Sequence, residues 1–298
     1  MNRRNFLYIS GISLAVSSVN PRRLLSQKDT KNGKSKFDEI IAISQKEDWS
    51  KLSLNLIIIK SALKFIDTPY VGGTLEVYDN EQCLINFDGL DCVTFFELSL
   101  CLARNIKRNK LTIDDLYDEV TYTRYRHGKL NGYESRLHYT SDWAFDNEQK
   151  QVVVDFTKTL EGVRFPLNVN FMSKNPKYYK QLKSNPGLVK KISFFESEIN
   201  KRKCYYIPKS KISSIQSEIQ SGDIIAITTN KNGIDYSHTG LAYVKSEDRH
   251  LDCSFMHASS KKKKVTIEPS LVNYLNGIDS DTGITVLRPL DIPSVESK

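Results

Sequence analysis

The apolar residues of this chain change their spacing along its length, and that change limits the possible fold more than any other feature. From residue 37 to 105 they recur at three- and four-residue intervals. Phe37, Ile40, Ile41 and Ser44 share a helical face, 52–66 is a second and strongly apolar run, and Cys92, Phe95, Phe96, Ser99 and Ala103 mark a third. Asp67-Thr68-Pro69 stops the second run, because proline disfavours helix at the residue before it. Beyond residue 220 the apolar runs become short. Ser221-Gly222-Asp223 leads into Ile224-Ile225-Ala226-Ile227, a buried strand; 238–244 and 250–257 read as two strands joined by a polar turn at 245–249; 284–287 is a last short strand. Helices first and an antiparallel sheet afterwards predict an α+β protein. With 298 residues, 39% of them hydrophobic, the chain can form one large domain or one domain with an insertion.

The stretch 105–210 fits neither half. An aromatic, polar segment at 121–143 precedes an expected helix at 152–160, and lysine-rich segments follow, broken by Pro166, Pro176, Pro186 and Gly187. It reads as an insertion that shapes a cleft. The first 26 residues read as an export signal: Arg3-Arg4 precede Asn5-Phe6-Leu7 and a short apolar run to Val19, similar to a twin-arginine signal. A retained, membrane-anchoring start is the alternative. No cysteine lies there to carry a lipid, so no stable membrane anchor is expected. Residues 27–36 are polar and read as a linker.

A formal net charge of +8 favours acidic partners, whether nucleic acid, an anionic envelope surface or carboxylate-bearing substrates. Zinc-finger spacing and aromatic RNP-type motifs are both missing, which argues against nucleic acid. No H-E-x-x-H or C-x-x-C occurs, so neither metal nor cofactor is expected.

The chemistry is then sought among cysteines and histidines. Asp88-Gly89-Leu90-Asp91 supplies turn and N-cap residues, which puts Cys92 at a helix N-terminus. That position favours a thiolate, as a neighbouring imidazole would. Asp91 opposes it electrostatically unless its carboxylate caps the helix or faces a ligand. The competing reading of Cys92 is a small buried residue opening a helix. Cys101, inside an apolar helical run, fits an inert role. An odd total of five cysteines leaves at least one unpaired within the chain. If Val244 pairs opposite Leu251, His238 falls opposite His257, with Cβ atoms about 4.5–5.5 Å apart, and one imidazole can orient the other. A one-residue shift would separate them. His250 lies on the other face; His127 and His138 have no partner that sequence identifies.

In order, Pro69-Tyr70-x-Gly72-Gly73, Leu90-Asp91-Cys92-Val93-Thr94-Phe95-x-Glu97, Ser221-Gly222-Asp223-Ile224, Ser237-His238-Thr239-Gly240 and His257-Ala258-Ser259 resemble the NlpC-type papain-like cell-wall hydrolases. The form around Cys92, with Ser135-Arg136-Leu137-His138-Tyr139 and Ser141-Asp142-Trp143, resembles their N-acetylmuramoyl-L-alanine amidase-like subfamily. The resemblance implies one papain-like domain over 37–298, its nucleophile helix packed on an antiparallel sheet, with the insertion at about 105–210. It implies Cys92 as nucleophile, His238 as base and His257 as the orienting group. Tyr70 would help to hold substrate or oxyanion. Asp91 is implied as substrate-binding, since the aspartate in its place in peptidase relatives helps to bind a free amine, which an amidase substrate lacks at its L-alanine. Asp142 and Trp143 would touch sugar or stem peptide, or else anchor the insertion. The implied substrate is peptidoglycan or a muropeptide, the implied location periplasmic. A D-glutamyl-diamino acid endopeptidase and a non-catalytic envelope-binding protein are the rival expectations.

Overall fold

The computed structural model describes residues 31–244 and 253–292. Segment 1–26, expected as an export signal, the turn expected at 245–249 and the positions of His250 and Leu251 lie outside them.

Helix α1, Lys31–Lys46, begins earlier than the sequence predicts, so 31–36 of the expected linker is helical. Phe37 and Ile40 are buried and anchor the helix, and once a helix is anchored each further turn adds bonds without a new nucleation cost. Helix α2, Leu54–Leu63, lies against α3, Cys92–Lys107. Both are largely buried, which explains why 52–66 is apolar nearly all round. Helices α4, Ile113–Arg124, and α5, Thr140–Gln149, follow. Residues 152–160 do not form the expected α-helix. Val153–Asp155 forms strand β1 and Phe156–Lys158 a 3-10 turn, in which the Asp155 carboxylate accepts from Thr157 N–H and closes the strand. The two valines are β-branched and suit a strand, and Val153 pairs with Pro289.

Strand β2, Val163–Phe165, helix α6, Pro186–Asn200, and strand β3, Cys204–Pro208, complete the insertion. Strands β4, Ile224–Thr229, β5, Tyr236–Tyr243, β6, Ser254–Ser259, and β7, Lys264–Glu268, lead through helix α7, Leu271–Asn276, to β8, Asp281–Pro289. The eight strands form one sheet in the order β2-β3-β8-β4-β5-β6-β7, with β1 also on β8, and every pairing is antiparallel. The molecule is therefore the α+β protein the residue spacing predicts.

Both faces of the central strands are covered. Ile224, Leu241, Met256, Ala258 and Leu287 meet α2 and α3 through Ile57, Ile58, Phe95 and Leu100. Ile225, Ala242, Phe255 and Val286 face the other way, under Leu271 and Leu275 of α7. Double coverage makes β4 an unbroken apolar run instead of an alternating one. No helix among the described residues is long and apolar enough to cross a membrane.

Candidate active site

Helix α3 starts where its sequence says it should. The Asp91 carboxylate accepts from the N–H groups of Val93 (3.1 Å) and Thr94 (2.8 Å), and Thr94 Oγ1 in turn accepts from Asp91 N–H at 2.9 Å. This reciprocal box satisfies donors that a helix start leaves open, and it fixes Cys92 as the first helical residue. The segment before α3 is tied down as well. Tyr70 N–H donates to Lys263 O (2.9 Å), Val71 N–H to Leu90 O (3.0 Å) and Leu90 N–H to Pro69 O (3.0 Å). Residues 69–71 thus bridge the loop before Cys92 to the turn before β7. Gly89 permits the approach, since a Cβ there would stand 2.6 Å from a Val71 methyl.

The histidines come from β5 and β6. The observed register pairs Leu241 with Met256, Ala242 with Phe255 and Tyr243 with Ser254. This differs by two residues from the predicted pairing, so His257 lies across from Gly240 and diagonal to His238. A two-residue shift keeps both side chains on one face, and diagonal neighbours remain within reach of long side chains. His238 Nε2 and His257 Nδ1 are 2.5 Å apart. Gly240 opens the space between them. A Cβ there would meet Met256 O at 2.5 Å and the Phe255 ring at 2.6 Å. Phe255 stacks on His257 at 4.7 Å, and the Tyr274 ring of α7 stands 5.0 Å from His257 and 6.2 Å from His238. His257 is almost fully buried.

Pairing between β5 and β6 covers three residues on each strand and stops short of both histidines. Cys92 comes from the layer on the other side of the sheet and lies against β5 beyond its pairing with β6, at Thr239, the residue after His238. The hydroxyl and backbone of Thr239 and the backbone of Cys92 favour the thiolate. They are outweighed: burial, and then the Asp91 charge, push the thiol up to about 11. Burial, and then the charge of its neighbour His257, hold His238 down at about 3. Burial also holds His257 down at about 4, despite the opposing pull of Glu268. The helix N-terminus therefore does not deliver the lowered thiol pKa expected from sequence, because desolvation disfavours the charged form more strongly. At neutral pH thiol and imidazoles all rest uncharged. Tyr70 is raised by burial and then by negative charge at Cys92 and Asp91, so its hydroxyl keeps its proton as a donor.

The other expected contacts fall elsewhere. Asp142 and Trp143 are 1% and 2% exposed, which leaves a substrate no surface to touch. The Asp142 carboxylate is held by Arg126 (2.7 Å) and Arg202 (2.7 Å), and Trp143 packs edge-on against Phe96 at 5.1 Å. Both are anchors of the insertion. His138 is half-buried against Tyr133 O, and the exposed His127 faces Asp146. Cys101 is fully buried beside Thr123. Glu97, from the same motif as Cys92, is buried and paired with Arg124 at 2.6 Å, joining α3 to α4.

Sequence reasoning missed three neighbours of the site. Thr239 is 1% exposed and its hydroxyl has no hydrogen-bond partner of good geometry; Tyr274 lies on a short helix. Glu268 Oε1 stands 3.5 Å from His257 Nε2 and is paired with Lys262 at 2.8 Å. Only the alternation of 264–268 could have signalled Glu268, and the lysine run before it masks that strand.

The profile of the AmiA-like family, described as N-acetylmuramoyl-L-alanine amidase-like, matches residues 60–284. The chain is similar to a crystal structure of an N-acetylmuramoyl-L-alanine amidase from Bacteroides uniformis ATCC 8492, with 34% identity and a TM-score of 0.74, over 79% of this chain and 98% of that one. A Bacteroides fragilis structure provisionally named a xylanase is 38% identical with a TM-score of 0.72, over 77% of this chain and 99% of that one. A Legionella pneumophila protein shares the fold at 20% identity and a TM-score of 0.68, over 91% of this chain and 98% of that one. No curated protein matches the sequence.

Proposed function

The chain belongs to the N-acetylmuramoyl-L-alanine amidase-like family, and from that premise we propose that it is a cysteine amidase of the NlpC-type papain-like fold, cutting the bond between N-acetylmuramic acid and L-alanine in peptidoglycan or muropeptides. One observation carries the reading: a cysteine on a capped helix start lies beside the strand residue that follows His238, and His238 is hydrogen-bonded to a second, buried imidazole. That is the nucleophile, base and orienting group of covalent acyl transfer.

Because the groups rest uncharged, proton transfer accompanies attack. His238 takes the Cys92 proton as sulfur bonds to the lactyl carbonyl carbon, and backbone N–H groups at the start of α3 receive the developing oxyanion. The imidazolium then protonates the leaving L-alanine nitrogen, the C–N bond breaks and a thioester remains. Water, deprotonated by His238, releases the acid and restores the thiol. Tyr70 donates toward the substrate near Cys92, and Asp91 shapes the site through the helix it caps. A xylanase would need two carboxylates flanking a glycosidic bond; the carboxylates near this site are already engaged, Asp91 in capping α3 and Glu268 with Lys262. Residues 1–26 direct export, so the work is done in the periplasm.

The test is mass analysis of products from defined muropeptides, with wild type and Cys92→Ala. Intact stem peptide released by the wild type alone is expected. Cleavage between D-glutamate and the diamino acid would replace the amidase by an endopeptidase of the same fold. Amide cleavage surviving in Cys92→Ala would remove the mechanism, and no cleavage of any bond would leave an envelope-binding protein.

A further inference from the structure

We infer that Glu268 is a positioning residue that sets the tautomers of both imidazoles, so that Nδ1 of His238 is left as the free base. The inference rests on the assignment of Cys92 and His238 as nucleophile and base.

The argument is one of proton counting. A neutral imidazole carries one N–H and one lone pair, and a carboxylate only accepts. His257 presents Nε2 to Glu268 Oε1 at 3.5 Å and Nδ1 to His238 Nε2 at 2.5 Å. The first contact is long for a hydrogen bond, yet a negative oxygen on that side still favours the proton at Nε2. With the proton there, His257 Nδ1 is an acceptor. His238 must then donate from its own Nε2, and its single proton is used. Nδ1 of His238 keeps its lone pair and can receive the thiol proton.

The 2.5 Å contact alone does not make this choice. It is satisfied as well by the reverse arrangement, with His257 Nδ1–H donating to His238 Nε2. In that arrangement His238 carries its proton on Nδ1 and cannot act as a base from that nitrogen. The remaining neighbours do not break the tie. The ring contact of Phe255 is apolar, and Tyr274 is in ring contact with both imidazoles. Lys262 acts through Glu268, to which it is paired, and Asp281 is engaged by Ser237 Oγ at 2.8 Å. Cys92 is the group to be deprotonated. Glu268 itself stays ionised: partial burial works against its charge, but its bonds to Lys262 and His257 prevail and hold it below the usual carboxylate range. When His238 becomes an imidazolium in the reaction, the same carboxylate offsets the new charge through His257.

The test reads the tautomers directly. Ring nitrogen shifts of His238 and His257 in the full protein, followed by two-bond 15N–1H correlation at pH 7, should show both as Nε2–H. In Glu268→Ala both should lose that pattern, moving to the Nδ1–H form or a mixture, while Glu268→Met repeats the loss with the volume kept. Alkylation of Cys92 by iodoacetamide should slow by about tenfold or more in each, as a wrong tautomer costs a base-assisted nucleophile heavily. Nε2–H tautomers that persist in either folded variant overturn the inference, whatever the protein cleaves. Tautomers that shift in a protein that cuts no muropeptide leave the inference standing and remove the amidase reading.

Discussion

Asp91 does two opposing things. Its carboxylate caps α3, and its charge adds to the burial that raises the Cys92 thiol to about 11. Asparagine separates them, because it caps about as well as aspartate and carries no charge. In Asp91→Asn the thiol should titrate lower, though still above its ordinary value of 9.0, since burial is the larger cause. The rate of Cys92 alkylation plotted against pH should therefore move to lower pH, with stability nearly unchanged. Asp91→Ala should cost about 1 kcal/mol in denaturant unfolding as well, through the lost cap. A profile that stays in place in Asp91→Asn would mean that the carboxylate does not act on the thiol.

At the scale of elements, the face shared by the histidines was legible and their pairing was not. Alternation along a strand depends only on whether residue spacing is odd or even, and His238 and His257 stay on one face under a shift of two. Register itself is set by the length of the connection between the strands and by shape. Gly240 is the shape term, and its Cα would have to carry a methyl into Met256 O. Gly240→Ala should destabilise the protein by about 3 kcal/mol, the upper end for overpacking against backbone, and should loosen the imidazole contact. Denaturant midpoints measure the first and histidine ring shifts the second; a neutral substitution would show that the strands close differently. The helix at 152–160 failed for a related reason. Val152-Val153-Val154 is apolar at any period, and only the distant pairing of β1 with β8 decides it is a strand.

Across the whole molecule, the insertion between Cys92 and His238 is sewn into the sheet instead of resting on it. Its strands β1 and β3 both pair with β8. The N-terminal turn of α5 holds the residue that opens the way to β5, with Ser141 N–H donating to Asp235 Oδ2 at 2.7 Å. Asp142 ties Arg126 and Arg202 together inside it. Such contacts join positions far apart in sequence, which is why local pattern left 105–210 unread while the short motifs around Cys92 and His238 stood out. Asp142→Ala strands two arginines and should cost about 3–5 kcal/mol in global stability, while KM of the surviving folded protein stays unchanged. A rise in KM without a loss of stability would return Asp142 to the substrate.

Strand β8 carries the last consequence. It is the latest strand in the chain order, yet it occupies the middle of the sheet, between β3 and β4. A chain still missing 281–289 carries every side chain proposed for catalysis, yet lacks the strand that joins β3 to β4. On the proposed reading, activity therefore waits for the final strand, and a copy truncated before residue 281 should cut no muropeptide.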